Sequence, residues 1–437
     1  MKKPGAIVAF TAAIAMGAAW PWLWAHRAQP DALFSGPIST DYLQRDATIA
    51  FYERQARLDS TDQITRRMLG GEYLQRFRET GDLNDVTRAA EMAKQSLRLQ
   101  PSGNIQALSV LASSDLAVHR FEPALAAERA AVQAAPFDDD ARAQTASILM
   151  ELGRYEQAGR ILTRPKDQEL NPTWMSIRAR YDELTGSLAG ARAEMAQATA
   201  LIDGMIGMPA YTRSWYHMRD GQLAFEAGDA NVAGAEFDEA LRVYPDNAMA
   251  LLFQAKLFRA HGDWPRALAS AQQSANLYPL PQALGYVADA QRALGDADGA
   301  RRTDALIRAE QQLFDSQGIN DRLLAIYYAE HREHLGDALA AARSDAAKRG
   351  NEIYADDTMA WVLAAMGRWK AARAYAQRAV RYETQDPELQ YHAGIIAMHT
   401  GHIPEARYRL REALAADPRF HPVYAGEARR ALAAMGG

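Results

Sequence analysis

Apolar and polar positions alternate along this chain with helical spacing, and the alternation is interrupted at regular intervals. Between residues 214 and 279, Trp215, Met218, Leu223 and Phe225 mark one apolar stripe, with Ala224 leaving room for a second helix to approach. Gly228-Asp229 then stops the helix, because glycine accepts the left-handed backbone of a helix end. Ala233, Phe237, Ala240, Leu241 and Tyr244 resume the stripe, and Tyr244, which precedes Pro245, is pushed out of helical geometry. Asp246 or Asn247 is placed to accept from the free amides of the next helix. The pattern predicts two antiparallel amphipathic helices. The same landmarks return 34 residues later, at Gly262, Asp263, Ala267, Ala275 and Pro279. One hairpin cannot bury both its faces, so a fixed period of this kind predicts a stack of hairpins.

Turn positions at this phase fall at Gly81, His119, Gly153, Gly186, Gly228, Gly262, Gly295, Gly336, Gly367 and Gly401, which predicts ten units. Pro101, Pro136, Pro245, Pro279 and Pro418 close units at the same phase. Residues 39–67 read as N-terminal capping helices, 68–318 as a first repeat block, 319–418 as a second, and 419–437 as a C-terminal capping helix. Two intervals run long. In one, Gly204, Gly207 and Pro209 break an apolar segment containing Met205, Ile206 and Met208, which either folds back over the joint or stands ready for a partner. In the other, an elongated second helix runs to Phe314, breaks at Gly318 and restarts at Asp321.

These residues resemble the tetratricopeptide repeat, whose period is 34 and whose unit is a helical hairpin with a closing proline. The resemblance implies an all-α, right-handed α-solenoid of about ten hairpins with end-capping helices. The segments YLQRFRETGD (73–82), YPLPQALGYVADAQRALGD (278–296), EQQLFDSQGIN (310–320), and IYADDTMAWVLAAMGRW through QYHAGIIAMHTGH to DPRFHP look like exported bacterial members of that family. The likeness carries no catalytic residue with it.

The N-terminus changes the setting. Lys2-Lys3 precede an uncharged run from Gly5 to Trp24, which reads as a signal peptide cleaved near Gly17-Ala18-Ala19, or as a retained anchor with Trp20, Trp22 and Trp24 at the interface. Residues 1–24 are assigned to this leader and 25–38 to a linker, placing the repeats outside the cytoplasm, in the periplasm or anchored to the inner membrane facing it. A net charge of −5 gives no basic field for nucleic acid. The absence of cysteine excludes disulfides, thiolate metal sites and cysteine catalysis.

Candidate chemistry is sparse. His331, His334, His392, His399, His402 and His421 enrich the C-terminal third in histidine, yet HExxH is missing and His402 lies across the Gly401 turn from His399. Phosphate-loop, GxSxG and GxGxxG motifs are absent, no cofactor is expected, and Asp138-Asp139-Asp140 fits helix capping.

The concave wall of a hairpin solenoid, built from first helices, is its usual binding surface. By the family's phase, the residues facing it are Trp215, Met218, Gln222, Phe225, Leu252, Lys256, Arg259, Asp289, Arg292, Trp361 and Tyr391. Lys256, Arg259 and Arg292 are expected to form a basic strip for an acidic or C-terminal carboxylate partner, the alternative being a solvated face with pairing inside the groove, for example Lys256 or Arg292 with Asp289. The lysine and asparagine clamp of chaperone-binding relatives does not appear. The reading is a non-enzymatic extracytoplasmic scaffold holding a protein or peptide partner in an envelope-associated assembly. A self-assembling structural module and a histidine-dependent metal binder are its alternatives.

Overall fold

The computed structural model describes residues 39–163, 170–316 and 322–436. The leader, the linker and the break at Gly318 lie outside these residues. Residues 39–437 form one compact unit. Its described residues are all-α: a short 3-10 turn (Asp41–Gln44) and a lead-in helix (Arg45–Leu58) precede ten hairpins and a final helix (Tyr424–Ala434). Hairpins one to five pair Gln63–Thr80 with Leu83–Leu99, Ile105–Ala117 with Phe121–Ala134, Asp139–Glu151 with Tyr155–Leu162, Pro172–Leu184 with Leu188–Gly204, and Ala210–Glu226 with Ala230–Val243. Hairpins six to ten pair Ala248–Ala260 with Trp264–Leu277, Pro281–Ala293 with Ala297–Ser316, Arg322–His331 with Leu335–Arg349, Ile353–Ala365 with Trp369–Ala379, and Pro387–His399 with Ile403–Ala416.

Local chemistry explains each unit. Asp62, Asp138, Asn171, Asn247 and Asp386 accept backbone N–H groups at helix starts, contributions of about 1 kcal/mol each. Ala124, Ala158, Ala191, Ala233, Ala267, Ala300, Ala372 and Ala406 each lie five residues after their turn and are at most 2% exposed. A methyl group there lets the second helix close onto the first.

One expected turn is displaced. Gly336 lies inside the helix Leu335–Arg349, and the left-handed turn residue of hairpin eight is Arg332 (φ 54°), with His334 (φ 47°) two residues on. The flanking intervals are therefore 37 and 35 residues, from Gly295 to Arg332 and from Arg332 to Gly367, so the period is steadier than glycine positions suggested. A non-glycine residue in this conformation costs about 1–2 kcal/mol. At the joint of hairpins four and five, the apolar segment divides: Met208 packs against the Met175–Leu223 core cluster, whereas Ile206 is 94% exposed.

The ten hairpins do not form an open rod. The turns of hairpins one, three, four and five each lie against the end of the hairpin five units further on. A Cβ on Gly186 would stand 2.8 Å from the Glu383 carbonyl oxygen, and one on Gly228 would stand 2.7 Å from that of Ala416. Gly153 meets the Asn351–Glu352 backbone and Gly81 the ring of Tyr278 in the same way. Leu188 N–H donates to Gln385 Oε1 (3.1 Å), Ile353 N–H donates to Tyr155 Oη (3.1 Å), and Arg349 pairs with Glu151 across the same seam. The coil thus returns onto itself every five hairpins, and one apolar cluster runs from Phe121 to Ile396.

The seam separates two kinds of turn glycine. Gly262 has the same left-handed backbone as Gly228, but a Cβ on it would meet nothing within 4 Å. Gly262→Ala is expected to cost about 1 kcal/mol, the left-handed penalty alone. Gly228→Ala must also push the Ala416 backbone aside and should cost clearly more. Urea unfolding midpoints compare the two; equal losses would mean that the seam does not exist in solution.

Candidate functional site

Closure converts the concave wall into a lumen. First helices of hairpins four to ten surround a cavity of about 270 Å³, with Arg180, Glu226, Lys256, Arg259, Asp289, Glu330, Asp357, Glu388 and His392 among its lining. So many charges in a confined space must compensate one another. Lys256 Nζ reaches from hairpin six to Glu388 on hairpin ten (2.9 Å), and Arg259 Nη2 lies 2.9 Å from Asp289 and 3.8 Å from Glu330. His331 Nε2 lies 2.8 Å from the same Asp289, and His392 Nδ1 lies 3.0 Å from Asp357.

The expected basic strip is therefore not free: Lys256 and Arg259 are bound across the lumen. Arg292 is likewise paired, with Asp304 (2.7 Å) and Asp289 (3.3 Å), and borders a separate cavity beside His331 and His421. Gln222 and Asp289 do line the cavity. Phe225 and Leu252 are buried in packing between helices, and Phe225 lies beneath the Lys256 ammonium at 5.6 Å. Met218 is buried against Ala240 and Ala250, with Trp215 packed over that cluster. Among the groove residues expected from the repeat phase, Trp361 and Tyr391 border a second cavity of about 370 Å³.

This second cavity and a third of about 380 Å³ lie beside the chain's own C-terminal segment, whose insertion no repeat pattern signals. Tyr424 stacks on Tyr391 (4.5 Å between ring centres) and on His421 (4.0 Å), while Trp361 stacks on His392 (4.0 Å). His421 Nδ1 accepts from the backbone N–H groups of Val423 and Tyr424, both at 3.2 Å. The C-terminal cap thus plugs part of the inner wall. Trp369, Met398 and His399 remain at the rim of the second cavity, with His399 stacked on Trp369 at 3.8 Å.

Titration follows packing. Burial lifts the Glu226 carboxyl to about 8, helped by Glu183 and Asp386, and burial lifts Glu330 to about 7. Burial works against charge on His217, but Asp203 and Glu236 outweigh it and hold the imidazolium to about 9. Burial drives His421 well below its ordinary range, with Arg259, Lys256, His392 and His331 adding to the effect. Among the described residues no three His, Asp or Glu side chains are grouped as metal ligands. His392 and His331 are engaged by single carboxylates, and His399 by a ring face.

Two segments, residues 219–280 and 358–419, match the family model described as Tetratricopeptide repeat. They fall on hairpins five and six and on nine and ten. No curated protein matches the chain. Among solved structures, the crystal structure of yeast Tom70 is similar over 97% of this chain and 96% of that one, at 12% identity and a TM-score of 0.36.

The shifts fix a pH profile. Glu226 and Glu330 keep protons in the folded state that the unfolded chain releases near pH 4.3, so their contribution becomes less favourable as pH rises through about 7 to 8. His217 is held charged by its carboxylates, and that stabilisation is full below about 6.5 and is lost as pH rises through about 9. His119, lowered to about 4 by burial, acts oppositely and destabilises the fold on acidification from about pH 6.5 to 4. Stability should decline from about pH 6.5 toward pH 9, where Glu226, Glu330 and His217 act in the same direction, with Glu226→Gln flattening that limb. Urea midpoints across this range check it; a maximum at pH 8 or above would contradict it.

Proposed function

We propose that this chain is a non-enzymatic scaffold that holds a protein or peptide partner, working outside the cytoplasm in an envelope-associated assembly. The observation that carries the reading is the rim of the second cavity, where Trp369, Met398 and His399 stand with Val423, which is 52% exposed. Apolar and aromatic surface left at the mouth of a rigid groove is the usual form of a binding hot spot. The lumen itself is an unsuitable berth for a polypeptide, because entry requires separating Lys256 from Glu388 and Arg259 from Asp289. The two segments matching the repeat family support a binding role for the array. Support for the location comes from Lys2-Lys3 and the uncharged run Gly5 to Trp24. Among the described residues no helix is long and apolar enough to cross a membrane, so any tether falls to that run.

Trp369→Glu places a charge at the rim without touching the lumen pairs. Chemical crosslinking in intact cells, followed by affinity purification and mass spectrometry, should show at least a tenfold drop in the crosslinked partner, with helicity unchanged. Undiminished crosslinking would remove the rim from the account. A C-terminal alkaline phosphatase fusion should be active in cells, and an inactive fusion would overturn the location.

A further inference from the structure

Where the C-terminal segment meets the lumen, five buried polar atoms have no hydrogen-bond partner among the described residues: Arg259 Nε, Trp361 Nε1, His392 Nε2, His421 Nε2 and Tyr424 Oη. Arg259, His392, His421 and Tyr424 are each less than 9% exposed. Their rings adjoin: Trp361 lies over His392, Tyr424 meets Trp361 edge-on at 5.6 Å and His392 at 5.8 Å, and His421 stacks on Tyr424. The Trp361 N–H points weakly at the Tyr424 hydroxyl oxygen, which leaves the hydroxyl proton as the donor without a partner. The three cavities share Glu330 as a wall residue, Arg259 faces the first and third, and Tyr424 faces the second and third.

The hydrogen positions follow from the other contacts. Arginine Nε and indole Nε1 only donate. His421 Nδ1 already accepts two backbone N–H groups, so the ring hydrogen sits on Nε2. His392 Nδ1 faces both oxygens of Asp357 at 3.0 Å and donates to them, and that carboxylate, outweighing burial, raises the ring's affinity for a second proton, on Nε2, from which it can donate. Tyr424 Oη can donate as well. The cluster is therefore rich in donors and poor in acceptors, and a buried donor left unpaired carries its full desolvation penalty. Neighbouring carboxylates are already spent: Asp357 on His392, Glu388 on Lys256, Asp289 on Arg259 and His331, and Glu427 on the Tyr391 hydroxyl. Glu330 remains, with Arg259 Nη2 at 3.8 Å.

From this convergence of donors beside flat aromatic faces we infer a binding site for a small aromatic carboxylate, enclosed between the inner wall and the C-terminal plug. The carboxylate would accept from the donors of Arg259, His392, His421 and Tyr424, and the ring of the ligand would continue the stack of Trp361 and Tyr424. The plug supplies two of the donors, so the C-terminal segment is part of the site. Glu330 sets the pH response. It faces Arg259 and Asp289 from neighbouring first helices, His331 beside it on its own helix, Glu388 and His392 from hairpin ten, and Tyr424 from the plug. With its carboxyl near half-protonated at about pH 7, an incoming anion is accepted more readily in acid. The site shares the second cavity with the rim at Trp369, but anion binding to purified protein and partner crosslinking in cells are independent readouts, so either proposal can fail without the other.

The test uses the full chain with ¹⁵N-labelled tryptophan and follows the Trp361 indole N–H, assigned through Trp361→Phe, during titration with sodium benzoate and, separately, inorganic phosphate. Benzoate should move that resonance in a saturable way and bind more tightly at pH 6 than at pH 8, while Glu330→Gln removes the pH difference. The double change His421→Asn with Tyr424→Phe keeps an acceptor for the two capping amides and an aromatic face but removes the donors at the His421 Nε2 and Tyr424 Oη positions, which the shorter Asn carboxamide does not reach. It should weaken benzoate at least tenfold while leaving the urea midpoint of the free protein unchanged. If that pair unfolds the cap, Tyr424→Phe alone should still weaken binding several-fold. A response to both anions supports an oxyanion site of this composition. No response to benzoate, a response to phosphate alone, or benzoate binding undiminished in the folded variants would overturn the inference.

Discussion

Contact between the turns of hairpins one, three, four and five and the hairpin five units further along is the constraint on which the rest of this molecule depends. Where Gly186 and Gly228 face the backbone at Glu383 and Ala416, there is no space even for a methyl group. A hairpin stack with looser curvature would leave these edges in water and its concave wall open. Here the edges meet, and hydrogen bonds such as Leu188 to Gln385 and Ile353 to Tyr155 join residues almost 200 positions apart. Local pairing of neighbouring hairpins sets the curvature, and the seam locks it.

The chemistry of the inner wall follows from that closure. On an open solenoid, Lys256, Arg259 and Asp289 would be solvated and worth little to one another. Inside a cavity of about 270 Å³ they lose water and must find partners, which is why Lys256 reaches four hairpins along to Glu388. Burial also leaves Glu226 and Glu330 short of cations and near neutrality. Binding capacity shifts from the middle of the groove to its C-terminal end. There the segment carrying His421 and Tyr424 fills one part of the wall, leaving donors unpaired on one side and apolar side chains exposed on the other.

Local structure was legible in the amino-acid pattern because it rests on short-range rules. Glycine or histidine at the turn, proline at the close of a unit and a capping Asp or Asn at the next start gave ten hairpins with lead-in and closing helices. Hairpin eight was misplaced because its turn residue is Arg332, and a glycine four residues on supplied a false mark. The possibility that Arg292 pairs with Asp289 was readable from their three-residue spacing on one helix, and the structure shows that pair. Arg259 with Asp289, and Lys256 with Glu388, were not readable. They depend on superhelical pitch, a sum of small rotations that no single repeat encodes. The plug was missed for a related reason: HPVYAGEARRALAAMGG has the pattern of any capping helix, and only the closed wall makes His421 and Tyr424 meet His392 and Trp361.

Because the chain contains no cysteine, the seam can be probed with a clean pair. Ser187→Cys with Gln385→Cys places thiols on the two sides, beside the Leu188 to Gln385 hydrogen bond. Treatment of dilute, folded protein with a short bismaleimide should give near-complete intramolecular crosslinking, read as a mass addition of one linker with both thiols consumed. Two independently capped thiols, each carrying its own linker, would contradict a coil that closes on itself and return the inner wall to solvent.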